Sequence, residues 1–311
     1  MNQSQHAAQY PYIAHTGQTY FVRSYAKVNL TLDVLGRRGD GYHELITIMQ
    51  TLDLHDTLCL TMIEEDCVRI NSTRSDLNNG NNLALRAAEA VRQHLGIKQG
   101  LAIELQKQVP VAGGLGGGSS NAAAVLLALQ QWWQLPLSPT EMQGIAASLG
   151  SDVPFFLTGG LAQCTGRGER ITPLAPCWPN QMRWLLLLKP AIDISTATVF
   201  RDLVADDYSD GEPSRLLLAA LHSGSNFQLD YLHNSLERGV LERYPTVAQA
   251  REDLQRAGAP CVRLSGSGPT LFAPFTTLTH AALAQQHLQN QGYEVYLTHP
   301  SSPGNEGIRF F

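Results

Sequence analysis

The stretch Pro110–Val125 reads PVAGGLGGGSSNAAAV, and five of the six residues from Gly113 to Gly118 are glycine. Glycine has no Cβ, so it adopts positive φ at little cost and lets backbone N–H groups approach a ligand closely. The apolar run after Asn121, AAAVLLALQQWW, is a strong helix former. The loop therefore opens a helix, whose first turn carries unpaired N–H groups and partial positive charge. Such a loop suits phosphate.

Two common phosphate loops are excluded. A Walker A loop needs a lysine after its second glycine, and Gly118 is followed by Ser119. The dinucleotide pattern G-x-G-x-x-G fits no frame of the stretch. The plainer alternative is a glycine-rich turn before a buried helix. Each glycine costs about 0.5–1 kcal/mol relative to alanine in regular structure, and a purely structural turn gains nothing in return.

Outward from the loop, the 311 residues suffice for two ordinary domains or one large one. Hydrophobic residues at 43% and charged residues at 16% describe a globular chain with a sizeable core. A net charge of −5 argues against a nucleic-acid binder. The five cysteines (59, 67, 164, 177 and 261) have neither zinc-site spacing nor a paired framework, which points to reduced thiols and a cytoplasmic setting. No apolar run approaches the roughly 18 residues of a membrane span. Residues 1–18 lack the apolar segment of a signal peptide and read as a poorly ordered tail.

Order is expected from Thr19. Between Tyr25 and Val34, Ala26, Val28, Leu30, Leu32 and Val34 share one strand face; Lys27, Asn29, Thr31 and Asp33 share the other. That alternation predicts a half-buried strand. The turn Gly36–Gly41 reverses the chain into a second strand-like run, and residues 53–68 extend the pattern. Residues 82–95 have helical spacing stopped by Gly96, and Leu101–Val109 alternates into the glycine loop. Ser138–Glu141 is a capping box with proline at the first helical position. Trp178–Gln181 marks the expected boundary between a domain at 19–180 and another at 181–311. Beyond it, WLLLLKP predicts a buried strand, and helices are expected near 195–204, 213–222, 229–241, 246–257 and 278–290. Residues 261–275 read as two short strands about a glycine turn, and Tyr293–Thr298 as a last strand. Strands and helices mix without strict alternation, so the fold class is α+β.

Three motifs carry a family resemblance across nearly the whole ordered chain. SYAKVNLTLDVLGRRGDGYHEL (24–45), the glycine loop and RLSGSGPTLFA (263–273) resemble, in that order, the motifs of the GHMP small-molecule kinases. The AKVNL–GYHEL pair resembles their isoprenoid-pathway branch. The resemblance implies an ATP-binding N-terminal domain similar to a ribosomal-protein second domain, and a ferredoxin-like C-terminal domain. It also implies ATP-dependent phosphorylation of the free hydroxyl of 4-diphosphocytidyl-2-C-methyl-D-erythritol, with Mg²⁺ as companion ion.

On the matching positions, Asp152 would be the catalytic base and Lys27 its partner. Gly113, Gly114, Leu115, Gly116, Gly117, Gly118, Ser119 and Ser120 would hold the nucleotide phosphates. Asn82, Leu83 and Lys107 would lie at the adenine. Asn29, Tyr42, His43, Phe200, Gly266 and Gly268 would bind the cytidine-diphosphate-linked substrate. Tyr42 and Phe200 would stack on the cytosine while His43 reads its edge; ordinary core burial is the alternative for both rings. The SGSGP glycines would let backbone approach the substrate phosphates, or form a plain turn. Asp152 follows a helix-ending glycine, and Pro154 predicts an extended Val153; a turn-capping aspartate is the alternative. A carboxylate of ordinary pKa ≈ 3.9 accepts the alcohol proton only late, as oxygen bonds phosphorus. One base supplies about 10²–10⁴-fold, so positioning and charge neutralisation carry more. Magnesium ligands are not legible beyond the hydroxyls of Ser119 and Ser120, either of which could instead cap the helix. The competing functions are another small-alcohol kinase, on mevalonate or homoserine, and a catalytically silent nucleotide sensor. Tyr42–His43 argues against the first, and joint retention of Lys27, Asn29 and Asp152 against the second. Oligomeric state is not legible.

Overall fold

The computed structural model describes residues 13–16, 19–224 and 227–301. The first half is built on two long antiparallel strands, β2 (Thr19–Arg37) and β3 (His43–Ile63), preceded by β1 (Ile13–Thr16). Next come β4 (Val68–Ser72), α1 (Leu83–Leu95), β5 (Gly100–Gln106), α2 (Gly117–Trp132), α3 (Pro139–Leu149), α4 (Val153–Thr158), β6 (Leu161–Gly166) and β7 (Arg170–Pro173). The second half holds β8 (Trp184–Lys189), α5 (Thr196–Arg201), α6 (Glu212–Ser223), β9 (His233–Asn234), α7 (Glu237–Arg243) and α8 (Pro245–Arg256). It ends with β10 (Arg263–Leu264), β11 (Leu271–Phe275), α9 (Leu278–Asn290) and β12 (Glu294–Thr298).

The larger sheet runs β1-β2-β3-β5-β4. Along the same edge of β3, β5 pairs with Thr57–Ile63 and β6 with Leu45–Gln50; β7 extends β6. The smaller sheet runs β10-β11-β8-β12. One core lies between the larger sheet and α1–α4, through Leu58, Leu60, Ile103, Val91, Val125 and Phe155. A second lies under α8 and α9, where Leu186 and Leu188 of β8 meet Val247, Leu254 and Leu288. The alternate residues of β8, Leu185 and Leu187, face a third core with Phe272 and with Ala26, Val28 and Leu30 of β2. A strand with period two thus serves two cores at once, and the third core joins the two halves.

The local signals hold where chemistry is local. Gly96 ends α1 with φ of 66°, and Ser138 and Glu141 make both bonds of the capping box. Tertiary structure changes four expectations. β2 is buried on both faces: Lys27, Asn29, Thr31 and Asp33 are at most 3% exposed. The glycine loop covers the first part of that polar face, and α6 and β9 cover the rest. Asp33 accepts the Ser214 N–H at 3.1 Å and so caps α6 from another element. Within the expected helix at 229–241, His233–Asn234 instead pair in parallel with Thr31–Leu32, because the buried edge of β2 needs partners. Ile13–Thr16, assigned to the tail, pair with Thr19–Val22 as β1; residues 1–12 and 17–18 lie outside the described set. Val153 opens α4 rather than extending, since Pro154 in the first turn forfeits no helical hydrogen bond.

The halves are also stitched at the chain's end. The Asp53 N–H donates to the His299 carbonyl, and the Ser301 N–H to that of Thr51, both at 2.9 Å. Among the described residues no helix is long and apolar enough to cross a membrane.

Candidate active site

Helix α2 starts at Gly117, so the GGSS segment is its first turn rather than loop. Its N-cap, Gly116, has no side chain to occupy the turn, and the Ser120 N–H is already bonded to the Gly116 carbonyl. The N–H groups of Gly117, Gly118 and Ser119 precede the first helical bond and are available to an anion. The loop before them turns on left-handed residues: Ala112 (φ 52°), Gly114 (74°) and Gly116 (70°). A Cβ on Gly114 would lie 2.2 Å from the Ser265 carbonyl oxygen, and one on Gly116 would lie 2.7 Å from the Phe156 ring. These two glycines are therefore dictated by close packing, on backbone at Gly114 and on the Phe156 side chain at Gly116.

Ser265 lies in the second glycine turn, and its hydroxyl donates to the Gly114 carbonyl at 3.1 Å. Gly266 (φ 57°) lies beside Lys27 and Asn29 and lines the cavity described below. Gly268 does not line it. It buttresses the Gly114 backbone, and a Cβ there would meet Leu264 at 2.7 Å.

Where the two turns meet, the Lys27 ammonium donates to Asn29 Oδ1 at 2.7 Å and to the Gly114 carbonyl at 3.0 Å. It lies 3.4 Å from Asp152 Oδ2. Asn29 donates onward to Thr47 Oγ1 at 2.8 Å, which fixes the orientation of its amide. Asp152 occupies the N-cap position of α4 but makes no side-chain cap bond, and its side chain is 31% exposed. Its carboxylate is thus turned to Lys27 rather than spent on the turn. Behind the pair, burial pushes the Cys164 thiol far up, with the Asp152 charge adding to the effect, so the thiol is an inert packing group.

All of this opens into one cavity of about 1040 Å³ that reaches both halves of the chain. The loop from Gly113 to Ser119 lines it with Asn82, Leu83 and Lys107; Ser120 is buried outside it. Asn82 caps α1: its side chain accepts from the Ala84 N–H at 2.9 Å and donates to the Leu77 carbonyl at 3.0 Å. Its amide is therefore engaged before any ligand arrives. Lys107 is also engaged, paired with the buried carboxylate of Asp56.

Tyr42, His43 and Phe200 line the same cavity. The His43 and Phe200 rings are 5.4 Å apart, and the Tyr208 ring is 6.2 Å from His43. Tyr42 is 53% exposed, with the Arg167 guanidinium 4.7 Å from its ring centroid. Burial, followed by the nearby Arg37 charge, pulls the His43 pKa below its ordinary value. The imidazole is therefore neutral near pH 7 and retains one acceptor nitrogen.

The sequence reading missed several cavity residues. Thr196 and Ser267, whose hydroxyls lie 2.7 Å apart, join α5 to the second glycine turn. Arg37, Arg167, Arg201 and Tyr208 complete the aromatic end. Only Thr196 carried a local signal, its place after the helix-capping Ser195.

A helix terminus offering N–H groups to phosphate, a buried ammonium and a solvent-reaching carboxylate describe a small-molecule kinase. The comparisons agree. Family models for the GHMP kinases N terminal domain and the GHMP kinases C terminal region match residues 82–160 and 216–294. A Geobacillus sp. (strain WCH70) protein named 4-diphosphocytidyl-2-C-methyl-D-erythritol kinase is 42% identical over 255 residues, covering 81% of this chain and 86% of that protein. A relative of the same name from Alkaliphilus oremlandii (strain OhILAs) is 37% identical, covering 92% of this chain and 98% of its own. A crystal structure of 4-(cytidine 5'-diphospho)-2C-methyl-D-erythritol kinase superposes with a TM-score of 0.77 at 33% identity, over 91% of this chain and 99% of that one. The homoserine kinase of Cytophaga hutchinsonii shares the fold, with a TM-score of 0.70 at 18% identity over 94% and 98% of the two chains. The chain belongs to the GHMP kinase family, with its two-domain α+β fold, and is an ATP-dependent small-molecule kinase.

Proposed function

We propose that this kinase transfers the γ-phosphoryl group of ATP to the free hydroxyl of 4-diphosphocytidyl-2-C-methyl-D-erythritol, a step in isoprenoid precursor synthesis. The observation that carries the substrate is the aromatic end of the cavity. A pocket of Tyr42, His43 and Phe200, continuous with Lys27 and Asp152, suits an alcohol joined to a pyrimidine nucleotide. Mevalonate and homoserine have no base to fill it.

In this reading the first turn of α2 and the glycine loop hold the ATP phosphates. The substrate hydroxyl approaches between them and Asp152. As its oxygen bonds to the γ-phosphorus, the bond from phosphorus to the ADP oxygen breaks, and the hydroxyl proton passes to the Asp152 carboxylate. Lys27 pairs with that carboxylate and offsets charge on the phosphoryl oxygens. Asn29 and the Gly114 carbonyl hold the ammonium in place. Most of the acceleration then comes from fixed charges and dipoles rather than from the base alone. Among the described residues no three carboxylate, histidine or cysteine groups cluster as a metal cage. That fits Mg²⁺, which is held largely by substrate phosphates and water and neutralises phosphate charge when bound. Ser119, whose hydroxyl reaches the cavity near Gly150, is the side chain that would contact it.

Stacking accepts any base, so selectivity rests on His43, whose neutral ring accepts from the cytosine amino group. Uracil would set a carbonyl against that acceptor. ADP release is measured with cytidine- and uridine-linked substrates, mevalonate and homoserine. The expected result is a cytidine preference of order 10²–10⁴ in kcat/KM. Equal rates for both pyrimidines remove His43 from recognition. Turnover of mevalonate or homoserine alone overturns the substrate.

A further inference from the structure

Beneath the glycine loop lies a carboxylate that the mechanism does not use. Asp56, on β3, is 0% exposed. Its Oδ1 accepts the backbone N–H groups of Gln108 at 2.7 Å and Val109 at 2.8 Å, where the chain leaves β5. Its Oδ2 accepts Asn121 Nδ2 at 2.9 Å, from the second turn of α2, and the Lys107 ammonium. Asn121 also donates to the buried Ser24 hydroxyl on the neighbouring strand.

We propose that Asp56 is the positioning residue of the nucleotide loop: one buried carboxylate clamps the strand that enters the loop and the helix that leaves it. This rests on the reading that the loop holds the ATP phosphates.

A buried carboxylate is expensive unless donors and a countercharge surround it. Here the donors come from the two rails of the loop, Lys107–Val109 and Asn121. Between the rails the chain takes three left-handed residues, one of them Ala112, a conformation unfavourable for alanine. Such a path persists only where its ends are fixed. The charge also matters. Lys107 Nζ lies 3.2 Å from where a Gly117 Cβ would stand, under the partly positive start of α2. The Asp56 carboxylate offsets both positive charges and holds the ammonium below the loop. Lys107 thus acts within the scaffold of the loop, unlike the mobile lysine of a Walker loop. The clamp serves ATP alone: none of its four donors belongs to the aromatic end.

Amide hydrogen exchange of residues 110–119 in the unmutated protein, with and without ADP, tests the underlying reading by itself. No protection by ADP removes the loop from nucleotide binding, whatever Asp56 does. The inference is tested with Asp56→Asn, which keeps the shape but turns an amide NH₂ toward donors, and with Asn121→Ala, which removes one arm. Lys107→Met is added to Asp56→Asn in a double variant that leaves no unpaired ammonium, so a folded protein is available if the single variant collapses. Each is assayed by ADP release with ATP and alcohol varied separately. We expect the ATP KM to rise about tenfold in the Asp56 variants, the loss of charge-assisted bonds being partly absorbed by relaxation. Asn121→Ala should raise it about threefold, as for one arm of a clamp. The KM for the alcohol should stay within about twofold, and exchange at 110–119 should quicken without ligand. A lower melting temperature with an unchanged ATP KM and unchanged loop exchange overturns the proposal and leaves Asp56 as core structure only.

Discussion

The two ends of the cavity are made in different ways. At the phosphate end the ligand-facing groups are mostly backbone, set by glycines packed against neighbouring backbone and side chains, with a lysine only 3% exposed behind them. At the base end they are side chains: Tyr42 is 53% exposed, and His43, Phe200 and Tyr208 come from separate segments. Phosphates carry the same charge in every nucleotide, so their site rewards preorganised dipoles that never move. A base is told from its neighbours by a few atoms, so its site relies on side chains that can be exchanged without disturbing the fold. The contrast predicts that substitutions at the phosphate end change rate or ATP affinity, while those at the base end change substrate choice.

The largest effect should come from Asp152→Asn. Its carboxylate makes no cap bond, so the fold should survive while kcat falls by roughly 10²–10⁴ and ATP affinity stays within a few-fold. Near-normal turnover in steady-state assays would assign the proton to another group. Next in size, Gly114→Ala and Gly118→Ala set two glycines of one loop against each other. A methyl on Gly114 collides with the Ser265 carbonyl in a left-handed backbone, whereas one on Gly118 meets only Leu83 at 3.6 Å. ATP binding by calorimetry should weaken about tenfold or more for Gly114→Ala and change less than about threefold for Gly118→Ala. Equal losses would mean that glycine is needed there for ligand approach rather than for loop shape.

The smallest effect concerns pH. The His43 pKa lies below its usual value of about 6.5, so its neutral form still predominates at pH 6.5. The cytidine-over-uridine ratio of kcat/KM should be flat between pH 8 and 7.5. It should decline only at lower pH, when protonation converts the acceptor into a donor. A ratio that changes between pH 7.5 and 8 would place recognition on a different group.

The same contrast explains what could be read from the sequence. Gly114 and Gly116 are demanded by local φ and by contact, so the loop announces itself; strand period alone puts Lys27 and Asn29 on one face, and the family resemblance singles them out there. The capping box at Ser138 and the stop at Gly96 are equally local. Asp56 carried no signal: its value comes from Lys107, Gln108, Val109 and Asn121, more than fifty residues away in every case. The burial of Asp33 was hidden because a strand's polar face looks solvated until a distant helix needs its cap. Arg167 and Tyr208 stayed hidden because an arginine in a turn and a lone tyrosine are common anywhere. Of the two glycines read together in SGSGP, Gly266 lines the cavity and Gly268 does not, a division that proximity to a motif does not reveal.

The strand β9 and the terminal stitch at Ser301 have a consequence for protein engineering. Each lies in the second half of the sequence yet completes hydrogen bonding in the first sheet, on opposite sides of the β2–β3 pair. Cutting the gene in the segment around Pro179 would therefore give a first fragment whose sheet lacks β9 and the terminal stitch, and a second fragment that keeps its own four-stranded sheet but carries those segments unpaired. Such fragments would be poor stand-alone domains, but they would expose complementary edges to each other. That makes the break a natural place for a split reporter whose activity depends on reassembly.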